Sequence, residues 1–151
     1  MNTDQHNTEC EHEQVHIQVR DWHAEVDVGM APLIAALWWR RIRTLWSCQE
    51  AEPARGRAWE VDPAEPRVFV AFATTDDLVR LLKQLPKGND VYDSAVFRNR
   101  WEYTLVPMIW RNPHALACNI PLPDGLRVQV NADIPRSDVP GIIKALMRWL
   151  P

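Results

Sequence analysis

Glycine is scarce in this 151-residue chain, with five residues at 29, 56, 88, 125 and 141. They do not cluster, so neither a P-loop nor a dinucleotide-binding turn can form, because each needs glycines at fixed spacing to bring backbone against phosphate. No G-x-S-x-G is present, which removes the strand-turn-helix elbow of serine hydrolases. The three cysteines, 10, 48 and 118, make neither a C-x-x-C pair nor an even-numbered framework. Zinc ribbons and disulfide-stapled scaffolds are therefore not expected. Lysine is nearly missing, 3 residues against 14 arginines, and the formal net charge is −3 with a pI near 5.9. A wholesale cationic surface for nucleic acid is absent. No run approaches the roughly 18 apolar residues of a membrane helix. Met1 to Gln14 lacks the charged-then-apolar order of a signal peptide. The expectation is a soluble cytoplasmic protein with reduced thiols and no membrane partner.

What the chain does contain is a globular balance, 46% hydrophobic and 25% charged, at the length of one domain. Eight tryptophans outnumber the five phenylalanines and tyrosines combined. Charge is uneven: residues 1–27 carry net −6 and residues 28–58 net +3. Residues 1–14 read as a mobile acidic, His-containing tail, too polar to repay the entropy of ordering. Residues 15–151 read as a single α/β sandwich domain.

Val15, Ile17 and Val19 alternate with polar residues, and Trp22, Ala24, Val26 and Val28 then alternate on the opposite parity. That phase change requires a bulge or tight turn at Arg20–Asp21. Pro32 and the stripe Leu33, Ile34, Leu37, Trp38 and Ile42 predict a helix over 31–42, with Arg40, Arg41 and Arg43 favouring the negative end of its dipole. A Pro- and charge-rich loop over 49–66 is interrupted by a short edge strand at 58–61. The unbroken run R-V-F-V-A-F-A at 67–73 suits a strand covered on both faces. Thr74 caps the following helix, striped by Leu78, Leu81, Leu82 and Leu85. Residues 101–109 form a strand that Pro107 assigns to a sheet border. Leu126 to Asp133 alternate strictly, and a last stripe runs from Val139 to Leu150. The order β-α-β-β-α-β-β-α predicts a two-layer α+β sandwich: a mostly antiparallel sheet with three helices on one face and a possible ferredoxin-like core.

Four groups of residues carry candidate chemistry. His12-Glu13-Gln14-Val15-His16 matches H-E-x-x-H, which chelates zinc only on a helix, where residues four apart stack. On the expected strand, His12 and His16 lie roughly 13 Å apart, so His12, Glu13 and His16 are metal candidates against the local structure. Glu25 or Asp27 could serve as a third ligand, and His6, Cys10, His12 and His16 could bind a metal more loosely. No cofactor is expected. Cys48 could act as a nucleophile if His23 or His114 reached it, or if arginines lowered its pKa; a small buried thiol is the plainer reading, and Cys118 has less claim still.

The third group mixes indoles with guanidiniums: Trp39, Arg40, Arg43 and Trp46, then Arg100 and Trp101, then Trp110 and Arg111. Both residue types suit a partner surface or an anionic ligand. The acidic leader repels phosphate, so nucleic acid is not expected. The fourth group, Asp76-Asp77 with Asp90 and Asp93, reads as solvated carboxylates.

R-I-R-T-L-W-S-C-Q at 41–49, followed by V-F-V-A-F-A-T-T-D-D-L at 68–78, resembles small bacterial and phage proteins. In those, a helix ends in G-I-x-T-x-x-S-C-(E/Q) and a strand ending in Phe follows. The likeness spans about residues 28–85, with Arg41 in place of the usual Gly. It implies a helix-turn-strand arrangement and no particular activity. The sequence therefore favours a non-catalytic binding module, a homodimer contacting itself or another protein through its Trp–Arg surface and an edge strand. The alternative is a small enzyme using Cys48 or an N-terminal His/Glu zinc site.

Overall fold

A computed structural model of the chain describes residues 12–50, 65–110, 119–122 and 125–148. The chain opens with a hairpin, β1 (Gln14–Val19) and β2 (Trp22–Asp27), whose register pairs Val19 with Trp22 and Gln14 with Asp27. The two-residue turn Arg20–Asp21 explains the parity change, and Arg20 takes a left-handed φ of 55° there. Trp22, Ala24 and Val26 are buried while His23 and Glu25 face water, as the alternation requires. The strand begins at Gln14 and His12 is half-buried; residues 1–11 of the predicted tail lie outside the described residues.

A short 3-10 turn (Val28–Met30) leads into α1 (Ala31–Trp39), with Pro32 in its first turn. The helix ends three residues earlier than its apolar stripe predicts. Arg41 adopts φ 59°, its N–H donates to the Trp38 carbonyl at 2.9 Å, and Ile42 N–H donates to Leu37 O at 3.0 Å. This pair of bonds is a Schellman stop, and the position with positive φ is the one that favours glycine. The three arginines thus lie beyond the helix rather than in its last turn.

β3 (Thr44–Cys48), β4 (Arg67–Phe72), β5 (Glu102–Trp110) and β6 (Gly125–Pro135) form a second sheet in the order β3-β4-β6-β5. Every neighbouring pair is antiparallel. The expected mixed α+β class with antiparallel strands is what is found. β4 and β5 flank β6, both antiparallel to it and joined in the chain through helix, which is the split β-α-β placement; the full β-α-β-β-α-β order is not completed, because among the described residues no strand follows the last helix and β3, earlier in the chain, lies beside β4 instead. The expected strand over 58–61 lies outside the described residues. Pro107 sits on β5, at the border of the sheet, as its missing N–H requires.

Among the described residues there are four α-helices, against an expectation of three. α2 (Thr75–Gln84) is capped by Thr74, whose hydroxyl accepts from the Asp77 N–H at 3.3 Å, and α4 (Val139–Met147) follows a 3-10 turn (Arg136–Asp138). The extra helix is α3 (Asp90–Val96), capped by Asn89 through the Val91 N–H at 2.9 Å. At seven residues it is too short for an apolar stripe to announce it. Val68, Val70, Phe72, Val130, Ala132 and Ile134 line one face of the second sheet and join a single core with Leu37, Trp38, Leu81, Ile142 and Leu146. Among the described residues, no helix is long and apolar enough to cross a membrane.

Candidate functional site

The hairpin and the second sheet meet where β1, β2 and β3 have their nearest ends. Val28 N–H donates to Glu13 O at 2.9 Å, extending the hairpin ladder one step and leaving His12 beside the end of β2. Asp27, 1% exposed, closes the junction: one carboxylate oxygen accepts the Gln49 backbone N–H at 3.0 Å, and the other lies 3.4 Å from Gln14 Nε2. Gln49 in turn accepts the Gly29 N–H at 2.8 Å. One ligand atom each from His12, Asp27 and Cys48 lie within 4.8 Å of one another. His12 Nε2 is buried without a hydrogen-bond partner. Alongside, a cavity of about 220 Å³ separates β2 from β3, floored by Ile34, Trp38 and Leu45 and rimmed by Gln14, Glu25 and Trp46.

The extended β1 sends the two imidazoles of H-E-x-x-H to different places. His16 stands opposite Glu25 across the hairpin, 3.0 Å from its carboxylate, and its ring lies 5.3 Å from that of His23. Glu13 is exposed. His23, occupied on this outer face, is not brought to Cys48; His6, Cys10, His114 and Cys118 lie outside the described residues. Cys48 is 3% exposed and disulfide-bonded, which corrects the expectation of reduced thiols and leaves no thiolate for attack in this form.

The tryptophan–arginine groups do not converge through any ring or cation–π contact among the described residues. Arg20, not a member of the group, covers Trp39 at 4.6 Å, and Arg41 covers Trp22 at 4.9 Å. Arg40 donates to Leu146 O at 2.6 Å, Arg43 to Asp77 at 3.3 Å, and Arg100 to Glu65 and Ser94. Trp101 is buried, its indole N–H donating to Asp138 at 2.9 Å. Trp46 remains 46% exposed. Trp110 closes β5, and Arg111 lies outside the described residues. Of the acidic group, Asp77 is fully buried as the acceptor for Arg43, not solvated, while Asp76 and Asp90 are exposed.

On the polar face of the second sheet, Glu102 and Asp133 stand directly opposite. Burial, then the Glu102 carboxylate, push Asp133 up to about 6, partly offset by Arg67. Burial also pushes the Tyr103 hydroxyl well up, and it donates to Ala95 O at 3.0 Å.

Further along the same two strands the opposite, apolar face emerges from beneath the helices. Leu105 pairs with Val130, Pro107 with Val128 and Ile109 with Leu126. Val130 is buried, yet Leu105 is 63%, Ile109 57% and Leu126 73% exposed. The alternation from Leu126 onward predicts an apolar face for Leu126, whereas the pairing with β6 puts Leu105 and Ile109 on it; how far the helices reach over that face is not encoded in the alternation.

Comparison with protein families, curated proteins and solved structures finds no match.

Proposed function

We propose that this protein is a non-catalytic binding module that self-associates as a homodimer through the uncovered apolar end of β5 and β6. The observation that carries the reading is the exposure of Leu105, Ile109 and Leu126 as neighbours on one sheet face. Monomeric proteins rarely leave such residues contiguous in water. The patch bears no charged residue on that face between Leu105 and Ile109 or at its β6 partners Leu126, Val128 and Val130, so its complement is another apolar surface. A two-fold axis supplies one by bringing the same patch from a second copy. Pro107 lacks the N–H that a strand added to the β5 edge would use, which favours face packing over edge pairing.

The tryptophan–arginine surface has less to offer a partner, because Arg40, Arg43 and Arg100 are already bonded within the chain and Trp101 is buried. An anionic small molecule loses support for the same reason. Light scattering over a concentration series tests the reading. The wild type has the mass of two chains and Leu105→Glu/Leu126→Glu the mass of one, with unchanged circular dichroism. A wild type that stays at one chain at the highest concentration refutes it.

A further inference from the structure

Asp27 is a buried carboxylate met only by neutral donors, the Gln49 amide and Gln14 Nε2; among the described residues no cation pairs with it. Buried charges in proteins are paired or coordinate metals. Two further groups face the same point, since a ring nitrogen of His12 and Cys48 Sγ each lie within 4.8 Å of the Asp27 oxygen and of each other. The triangle is not a nucleophile relay. In a relay the imidazole bridges thiol and carboxylate through its two nitrogens, which holds sulfur and oxygen roughly 7 Å apart. Around a tetrahedral zinc, by contrast, sulfur, nitrogen and oxygen ligands sit roughly 3.3–3.6 Å from one another. Thiolate, carboxylate and neutral imidazole also sum to the charge that balances a divalent cation, which suits a site this deep. A sulfur–nitrogen donor set selects zinc over magnesium or calcium.

We propose that His12, Asp27 and Cys48 form a Zn²⁺ site that the Cys48 disulfide closes and its reduction opens. A dithiol reductant gives two electrons and two protons to the disulfide, yielding two protein thiols and an oxidised dithiol. The Cys48 thiol then loses its proton to solvent as its sulfur binds the cation. The fourth position is left for water or a further ligand. The site joins the start of β1 to the ends of β2 and β3, so zinc locks the hairpin onto the second sheet.

The test uses the full chain in two forms, disulfide intact and reduced by a dithiol that is then removed without oxygen, each titrated with Zn²⁺ alone. The reduced form takes up a single ion, on the order of 100-fold tighter than the oxidised form. Cys48→Ser and His12→Ala each weaken binding about tenfold or more. His12→Ala removes only a partly exposed side chain, and circular dichroism verifies its fold. Cobalt in place of zinc gives a thiolate charge-transfer band that Cys48→Ser abolishes. Equal zinc binding by both redox forms, no binding by the reduced form, or binding that survives both substitutions overturns the proposal.

Discussion

Asp27 and Gln49 join the hairpin to the second sheet: the buried carboxylate accepts the glutamine's backbone N–H at 3.0 Å, although β2, which Asp27 ends, and β3, which Gln49 follows, share no ladder. Removing the carboxylate leaves that amide without its partner. Asp27→Ala, with the disulfide intact, is expected to cost about 1–3 kcal/mol by urea unfolding. A loss below about 0.5 kcal/mol would mean that water replaces the bond without penalty.

The Trp101 indole makes a second test of buried polar pairing. Its N–H donates to Asp138 at 2.9 Å while the ring is 2% exposed. Asp138→Ala strands that donor and is expected to destabilise by about 1–3 kcal/mol. Trp101→Phe, which removes the donor as well as part of the ring, then adds less in the Asp138→Ala background than in the wild type. Strictly additive losses in this double-mutant cycle would show the bond to be uncoupled.

Arg41 holds φ 59° and also covers Trp22. Arg41→Ala keeps the unfavourable backbone and loses the ring contact; Arg41→Gly loses the contact but relieves the backbone. The glycine variant is expected to be the more stable of the two by about 1 kcal/mol. Thermal melts giving the reverse order would place the strain elsewhere.

Much of this architecture was legible because it depends on local pattern. The Arg20–Asp21 turn followed from a parity change, β4 from its unbroken apolar run, α2 from Thr74 and its leucines, and the border position of β5 from Pro107. Where the reading failed, a non-local or conformational fact decided. β3 is five residues with one bulge, too short and irregular to alternate visibly. α1 stops because of a dihedral at Arg41 that no apolar stripe encodes.

The candidate site was legible only in parts. His12 drew notice for its spacing to His16, and Asp27 was named as a possible ligand. Cys48 reads from sequence only as a separate, candidate nucleophile. Their meeting depends on the hairpin's register and on β3 running beside β2, neither of which leaves a mark in sequence spacing. Trp101 looked like surface by its neighbours Arg98 and Arg100, and is core because Asp138 offers its indole an acceptor.

Asp133 sets a pH dependence. Its carboxyl keeps its proton up to about pH 6 in the folded chain, against an ordinary value of 3.8. Between these two values the folded state binds more protons than the unfolded one, so this group's contribution is complete below the lower value and is lost as pH rises through the upper. Asp133→Asn is therefore expected to lose less stability than the wild type between pH 4 and pH 7, compared by urea midpoints. Parallel profiles for the two proteins would contradict the assignment.

Self-association through Leu105, Ile109 and Leu126 is tested most directly by isotope-filtered NMR on a mixture of methyl-labelled and unlabelled chains. The account predicts contacts between copies at these three methyl-bearing side chains. A spectrum in which all three see only protons of their own chain, at the highest attainable concentration, would contradict it.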